Sequence, residues 1–361
     1  MPQWWDAVNG EEQGRIKDLW LTGRITSGGI AELLAKAKIQ VTSNAIHKSF
    51  QQRGWRWGSI PSDQAQVFPE QEPDPIIIAP GIHKYRAPRS KQADAETQVV
   101  LLSDGHAGKI TPTFDPDVYK QRMEGAFQHM MAITTLHRNM YPINELVIMI
   151  LGDNSQGENP YQGSRVESIA MGARNQVKQL AVPAHVSFVM SARENFEIVR
   201  VHGVPGNHGR VELLAPETSN WDLMLYDSIK NIVGHYDGIE IETSEDWYQI
   251  VEVQGYRFFL WHGDKVRCQQ GVPLMALAKR TDAYFIQYGG FHYAVNGHWH
   301  KRAYDEAKAA YDVFMCGSLV SDDSWALGKG ISSSPSQWTF GITQHNPEKN
   351  GLSWMYPLWV D

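Results

Sequence analysis

Five short strings carry the reactive side chains of this chain, in the order Asp104-Gly-His106, Gly152-Asp153, Gly206-Asn207-His208, His262 and Gly297-His298-Trp-His300. Carboxylates, a carboxamide and imidazoles in this combination supply the oxygen and nitrogen ligands of a two-metal hydrolytic centre. The set contains no cysteine, which suits manganese, iron or zinc better than a thiolate-rich structural zinc site does. A carboxylate can bridge two cations about 3.5–4 Å apart, the spacing at which paired metals activate a water and stabilise a phosphoryl oxygen. Asp153 is the candidate bridge.

The elements that must position these residues are legible around them. Each string follows an apolar run that reads as a buried strand: Val99–Leu102, Leu146–Leu151, Ile198–Val201, Phe258–Trp261 and Tyr293–Val295. Open α/β sheets build their sites at strand ends of this kind. Ligands spaced one residue apart, Asp104 with His106 and His298 with His300, project to one side of an extended backbone. Glycines at 152, 206 and 297 allow sharp turns there. Amphipathic patterns over about 115–139, 163–192, 215–233 and 272–283 alternate with the strands, which makes the class α/β.

The series D-x-H, G-D, G-N-H, H, G-H-x-H resembles the calcineurin-like metallophosphoesterase superfamily over roughly residues 97–330. That resemblance implies two packed mixed sheets flanked by helices. It implies one metal held by Asp104, His106, Asp153 and His300, and another held by Asp153, Asn207, His262 and His298. A water or hydroxide between the metals would be the nucleophile, and His208 would act on the leaving oxygen as general acid or charge stabiliser. Asn154 and Arg210 are candidate substrate contacts. Gly209-Arg210 stands where most members carry an acid after Gly-Asn-His, so that acid's support of the histidine is missing, and Arg210 is suited to gripping a phosphate. Gly152-Asp-Asn-Ser-Gln-Gly157 lacks the fuller string of the protein serine/threonine phosphatases, which speaks against a phosphoprotein substrate. The closing Gly-His-x-His with an isolated upstream histidine resembles the repair-nuclease and phosphodiesterase branches, and Gly-Asn-His-Gly-Arg resembles forms carried by bacteriophages. Of the other histidines, His185 and His202 are reserve ligands.

Charge is divided unevenly. Residues 14–60 hold eight Lys/Arg against two acids, a net of +6 in a chain whose total is −7. Such asymmetry is the electrostatic footprint of a nucleic-acid module. The same stretch has a helix-turn-helix rhythm. A first helix over Glu12–Leu21 turns Ile16, Leu19 and Trp20 inward, and a second starts from Thr26 or Ser27 and runs through Ala35. A third is capped by Thr42 or Ser43, ends at Arg53, and has Ala45, Ile46 and Phe50 on its apolar face. Asn44, His47, Lys48, Gln51 and Arg53 are its candidate DNA contacts. A protein partner, or a second copy of the chain, is the competing occupant of this module.

The expected organisation is a small all-α module over 1–57, a proline-rich linker over 58–96 and a catalytic domain over 97–361. The short Ile76-Ile-Ile78 run is a candidate for docking on that domain. The aromatic end, with Trp338, Phe340, Trp354, Tyr356 and Trp359, reads as packing rather than as a base-stacking platform. Neither a membrane span nor a secretory leader is expected, and Cys268 and Cys316 are read as reduced, which together point to the cytoplasm. The functional expectation is a metal-dependent phosphodiesterase acting on DNA, a nuclease with two divalent cations, manganese first and zinc, iron or magnesium as alternatives. A small-molecule phosphoesterase and a DNA-binding regulator with a vestigial site are the rival expectations.

Overall fold

The computed structural model describes residues 8, 10–21, 27–36, 39, 41–53, 95–158, 168–212, 215–266, 273–307, 310–321, 334–346 and 349–360. Cys268, the Ile76–Ile78 run and all but the last two residues of the expected linker lie outside them. The chain forms two compact units, Met1–Pro75 and Ile76–Asp361.

Among the described residues of the first unit, three helices surround one small core: α1 (Gly10–Leu21), α2 (Ser27–Lys36) and α3 (Ser43–Gln52). Ile16, Trp20, Ile30, Leu34, Ile46 and Phe50 are buried together. Thr42 caps α3 by accepting the Ala45 N–H, which satisfies one of the amides left over at a helix start. Ala45, expected on the apolar face, is exposed, and Ser49 takes an inward position instead. A methyl group buries too little area for its placement to orient the helix, and Ile46 and Phe50 decide it.

The second unit is a sandwich. β1 (Glu96–Leu102), α4 (Pro116–His137), β2 (Ile143–Ile150), α5 (Val182–Asn195), β3 (Ile198–Gly203), α6 (Trp221–Val233) and β4 (Ile239–Thr243) follow one another as strand–helix repeats. A helical turn at Ala173–Asn175 and a π-helical turn at Gln176–Ala181 lead into α5. β5 (Tyr248–Val253), β6 (Tyr256–Trp261), α7 (Pro273–Gln287), β7 (Tyr293–Asn296), β8 (Ala303–Ala307), β9 (Tyr311–Met315), β10 (Ser336–Ile342) and β11 (Leu352–Trp359) complete it.

One sheet has the order β11-β10-β1-β2-β3-β4, the other β5-β6-β7-β9-β8. β1 to β4 pair in parallel, while β10 and β11 join antiparallel. In the second sheet β6, β7 and β9 are parallel and β5 and β8 antiparallel, so both sheets are mixed.

Strand periodicity builds the layers. On β1, Val99 and Leu101 face the second sheet, where they meet Phe258, Leu260, Val295 and Phe314. Val100 and Leu102 face the other way and are covered by α4, α5 and α6. Helices on one face of consecutive parallel strands follow from uniformly handed crossovers. The outer face of the second sheet is aromatic: Phe259, Trp261, Phe291 and Tyr311 pack against Leu277 and Tyr284 of α7.

The helix expected over 163–192 is observed from Ala173 onward, and the one expected over 215–233 starts at Trp221, where Asn220 caps it by accepting the Asp222 N–H. The aromatic end packs in part: Trp338, Phe340 and Trp354 are buried in β10 and β11 and Tyr356 is half-buried, whereas Trp359 is exposed, with the Arg302 guanidinium over its ring. Among the described residues no helix is long and apolar enough to cross a membrane.

His185 lies in the core of α5, and its Nδ1–H donates to the Ala181 carbonyl at 2.8 Å. Burial pushes its imidazole down to about 4 from the ordinary 6.5. The unfolded chain therefore binds a proton there that the folded chain refuses. The resulting stability, roughly 3 kcal/mol, is present above pH 6.5 and is lost as pH falls toward 4. His185→Gln should flatten the dependence of unfolding free energy on pH between 4 and 6.5; urea titrations giving equal slopes for both proteins would refute this.

Candidate metal centre

All five strings lie at the carboxyl ends of parallel strands, Asp104 after β1, Asp153 after β2, Asn207 and His208 after β3, His262 after β6 and His298 and His300 after β7. Two sheets thus deliver their candidate ligands to one end of the sandwich. Leaving a strand this abruptly requires unusual backbone. Asp104, His106, Asp153, His298 and His300 have φ between +45° and +70°, and only Gln254 and Asn350 share that region among the described non-glycine residues. Left-handed backbone costs of order 1–3 kcal/mol per residue and gathers at functional sites. Gly206 is required for a different reason: a Cβ there would collide with the Asp153 carboxylate.

Among the described residues three overlapping groups of potential ligand atoms converge, each within 4.8 Å: Asp104 with His106 and His300, His106 with Asp153 and His208, and Asp153 with His262 and His298. Asp104 divides its two oxygens. Ser103 Oγ and the His298 N–H donate to Oδ2 at 2.5 and 2.9 Å. Oδ1 receives no hydrogen bond and faces His300 Nε2 at 3.3 Å and His106 Nε2 at 3.8 Å. The two Nε2 atoms lie 2.9 Å apart.

His262 Nδ1–H donates to the Leu151 carbonyl at 2.7 Å, which aims Nε2 at Asp153 Oδ2, 3.0 Å away, and at Asn207 Oδ1, 3.1 Å away. A nitrogen lone pair facing two acceptor oxygens needs a positive charge between them. In the absence of a cation a proton serves: burial would lower the His262 pKa, but the Asp153 carboxylate outweighs it and holds the ring at about 10. Burial would likewise raise Asp153, yet the neighbouring His262, His208 and His106 keep it well below the usual carboxylate range. Buried acceptors converging on shared points, without thiolates, fit divalent cations. Asp153 belongs to two of the three groups.

His208 stands within this cluster. Its main-chain N–H donates to Asp153 Oδ1 at 2.7 Å and its Nδ1–H to the Gln156 carbonyl at 3.0 Å. Its ring meets that of His106 edge to face at 4.6 Å.

Other expected contacts are placed differently. Asn154 is buried, and its Nδ2 donates to Asp222 Oδ1 at 2.9 Å and to Tyr226 Oη at 3.3 Å, so its amide group supports the loop instead of facing a substrate. Arg210 is engaged by Asp264 across 2.7 Å. His185 and His202 bond to main-chain carbonyls and join none of the three groups. Asn44, His47, Lys48 and Gln51 are exposed on α3, where His47 and Gln51 bond to each other at 2.9 Å, and Arg53 is half-buried.

The residue that motif reading missed is Asp222. Its Oδ2 accepts the Asp153 and Gly206 N–H groups at 3.0 and 2.8 Å, and its Oδ1 accepts both donors of Asn154. It follows an N-cap in the first turn of α6, where carboxylates are common for capping reasons alone, so only its burial distinguishes it.

No protein-family model matches the chain, and no curated protein matches it. Solved structures do. A conserved protein of Streptococcus pneumoniae described as a predicted phosphoesterase is 10% identical over 69% of this chain and 84% of its own, with a TM-score of 0.30. The zinc complex of wild-type Vps29 from Entamoeba histolytica is 12% identical over 73% and 99%, with a TM-score of 0.28. A 5'-nucleotidase of Candida albicans is 9% identical over 76% and 54%, with a TM-score of 0.36. The functional reading therefore rests on the chain's own residues.

Asp222→Asn replaces one acceptor edge with a donor that faces amide hydrogens. It should lower unfolding free energy by about 1–3 kcal/mol, the cost of buried groups left unsatisfied, and reduce the metal retained after gel filtration. Unchanged melting temperature and unchanged metal content would remove Asp222 from the support of the centre.

Proposed function

We propose that the chain is a two-metal phosphodiester hydrolase acting on DNA, a nuclease whose N-terminal helices hold the nucleic acid. The observation that carries hydrolysis is the convergence of His262 Nε2, Asp153 Oδ2 and Asn207 Oδ1 beside the Asp104, His106 and His300 cluster. Asp104, His106, Asp153 and His300 would hold one cation, and Asp153, Asn207, His262 and His298 the other. Bound there, divalent cations supply Lewis acidity toward the phosphoryl oxygens and make water acidic enough to attack at neutral pH. Manganese is the proposed metal, since the carboxylate and carboxamide oxygens suit it; zinc and iron, which the imidazoles suit, and magnesium are its competitors.

The chain's own part is proton transfer and orientation. Because His208 Nδ1–H is committed to the Gln156 carbonyl, exchange takes place at Nε2. Burial lowers the His208 imidazole, and the negative charge of a bound phosphate raises its proton affinity again. Water adds to phosphorus, the bond to the departing oxygen breaks, the Nε2 proton passes to that oxygen, and the water's proton is released. Arg210 reaches a phosphate oxygen by exchanging Asp264 for it.

DNA as substrate is supported by the basic stretch 14–60 and by the exposed polar face of α3. A small phosphoester is the second reading. The crevice beside Gly206 is lined by Arg210, Lys265, Glu217, Glu245, Asp264 and Trp247, three carboxylates against two cations, a poor lining for a polyanionic strand.

The test is a manganese, magnesium and zinc series with bis-nitrophenyl phosphate and end-labelled single- and double-stranded DNA. Cleavage of DNA is expected; ester turnover with intact DNA would favour the second reading, and no turnover with no bound metal would sink both. Asp153→Asn should abolish hydrolysis and weaken both metals, because the charge they share is gone. Full activity with full metal content in that variant would overturn its assignment as the bridge.

Lys48→Ala addresses the DNA interface. Losing one phosphate contact should weaken duplex binding and lower the slope of log affinity against log salt by about 0.9. An unchanged slope would leave the module to a protein partner or to a second copy of the chain.

A further inference from the structure

His208 is oriented by backbone, and that backbone must itself be held. The acceptor of its Nδ1–H is the main-chain carbonyl of Gln156, 3.0 Å away. The next residue, Gly157, is clamped at both polar groups: its N–H donates to Gln176 Oε1 at 2.9 Å, and its carbonyl accepts from Gln176 Nε2 at 3.2 Å. Nε2 also donates to the Met171 carbonyl at 2.8 Å. A carboxamide presents an acceptor and a donor side by side, which matches the N–H and C=O of a single residue.

Gln176 is wholly buried and opens the π-helical turn that precedes α5. Such turns insert a residue into a helix and recur at functional sites. Here the turn delivers a polar side chain beneath two ligand loops. Gly157, at φ +71°, lies so close to the His208 carbonyl that a Cβ would collide with it. Gly108, two residues after His106, packs on Gln176 so that a Cβ there would lie 2.5 Å from Cγ. One side chain therefore sets the approach of the 104–109 loop, the 152–157 loop and His208. Buried polar groups that have partners are costly to leave without them, which makes this geometry single-valued.

We propose that Gln176 is a positioning residue for His208, fixing Gly157 and the Gln156 carbonyl and so the ring orientation that leaves Nε2 for the departing oxygen of a phosphoester. The last clause rests on the hydrolytic reading; the control of ring and tautomer does not.

Two variants approach the contact from opposite sides. Gln176→Met keeps the volume and removes the hydrogen bonds, and Gly157→Ala leaves Gln176 intact but displaces the backbone at His208. Histidine ¹⁵N spectra of the metal-free protein, with the His208 signal assigned by its loss in His208→Ala, read the tautomer directly. Wild type should show His208 as a single Nδ1–H tautomer, and both variants a mixture.

With manganese bound, two aryl phosphodiesters that differ only in the leaving group read the consequence. For the phenyl ester, whose leaving oxygen needs a proton, kcat should fall roughly 10- to 100-fold, part of what a positioned acid supplies. For the nitrophenyl ester it should change little, and KM should stay constant for both. A single Nδ1–H tautomer retained in both variants, or equal slowing of the two esters, overturns the proposal. Should wild type hydrolyse neither ester, the hydrolytic reading falls while the spectra still decide the role of Gln176 in holding the ring.

Discussion

Asp222 sits in the core with four N–H donors aimed at it, three from backbone and one from the Asn154 side chain. Burial and the nearby Asp153 both raise its pKa, so without those donors the carboxylate would be unstable where it is. Its position near the start of α6 adds the favourable end of a helix dipole. The dependence runs both ways. The loops after β2 and β3 leave their strands at Asp153 and Gly206, where neither strand ladder can satisfy their amides, and Asp222 does so instead. Through it, α6 sets the distance between the Asp153 carboxylate and the Gly206-Asn207-His208 string.

Around that contact the molecule tolerates unusual backbone. Five of the proposed ligand residues occupy the left-handed region, each at a conformational cost. The sandwich offsets it. Val99, Leu101, Val147 and Met149 press against Phe258, Leu260 and Val295 between the sheets, while α4, α5 and α6 cover the opposite face. Fixing strands on both faces leaves their ends few alternatives, so the strained turns persist where the carboxylates and imidazoles converge.

The histidines show how one side chain acquires different chemistry. His185 and His262 are both buried, both with Nδ1–H on a main-chain carbonyl. His185 is surrounded by apolar helix and is driven toward the neutral form, down to about 4. His262 has the Asp153 carboxylate 3.0 Å from Nε2 and, with no cation between them, is held at about 10. Burial alone does not set the state of a histidine; the charge facing its second nitrogen does.

Much of the candidate centre is determined by the sequence alone, because each string follows its own apolar strand and the instruction is local: an apolar run, a turn, then polar side chains. Asp104, His106, Asp153, Asn207, His208, His262, His298 and His300 are legible for that reason, as are α1, α2 and α3 through their inward faces and α3 also through its Thr42 cap. Asp222 and Gln176 are not, since a carboxylate after a helix cap and a glutamine in a helical run have ordinary local explanations. The same limit applies to Asn154, whose neighbour Asp153 suggests a substrate contact while its amide group bonds to Asp222 and Tyr226. What only the tertiary structure decided is which polar groups meet across long stretches of chain. Hydrogen bonds in a buried site depend on distances of tenths of an ångström between segments that sequence spacing leaves unrelated, and packing of the two sheets and their helices is what sets those distances.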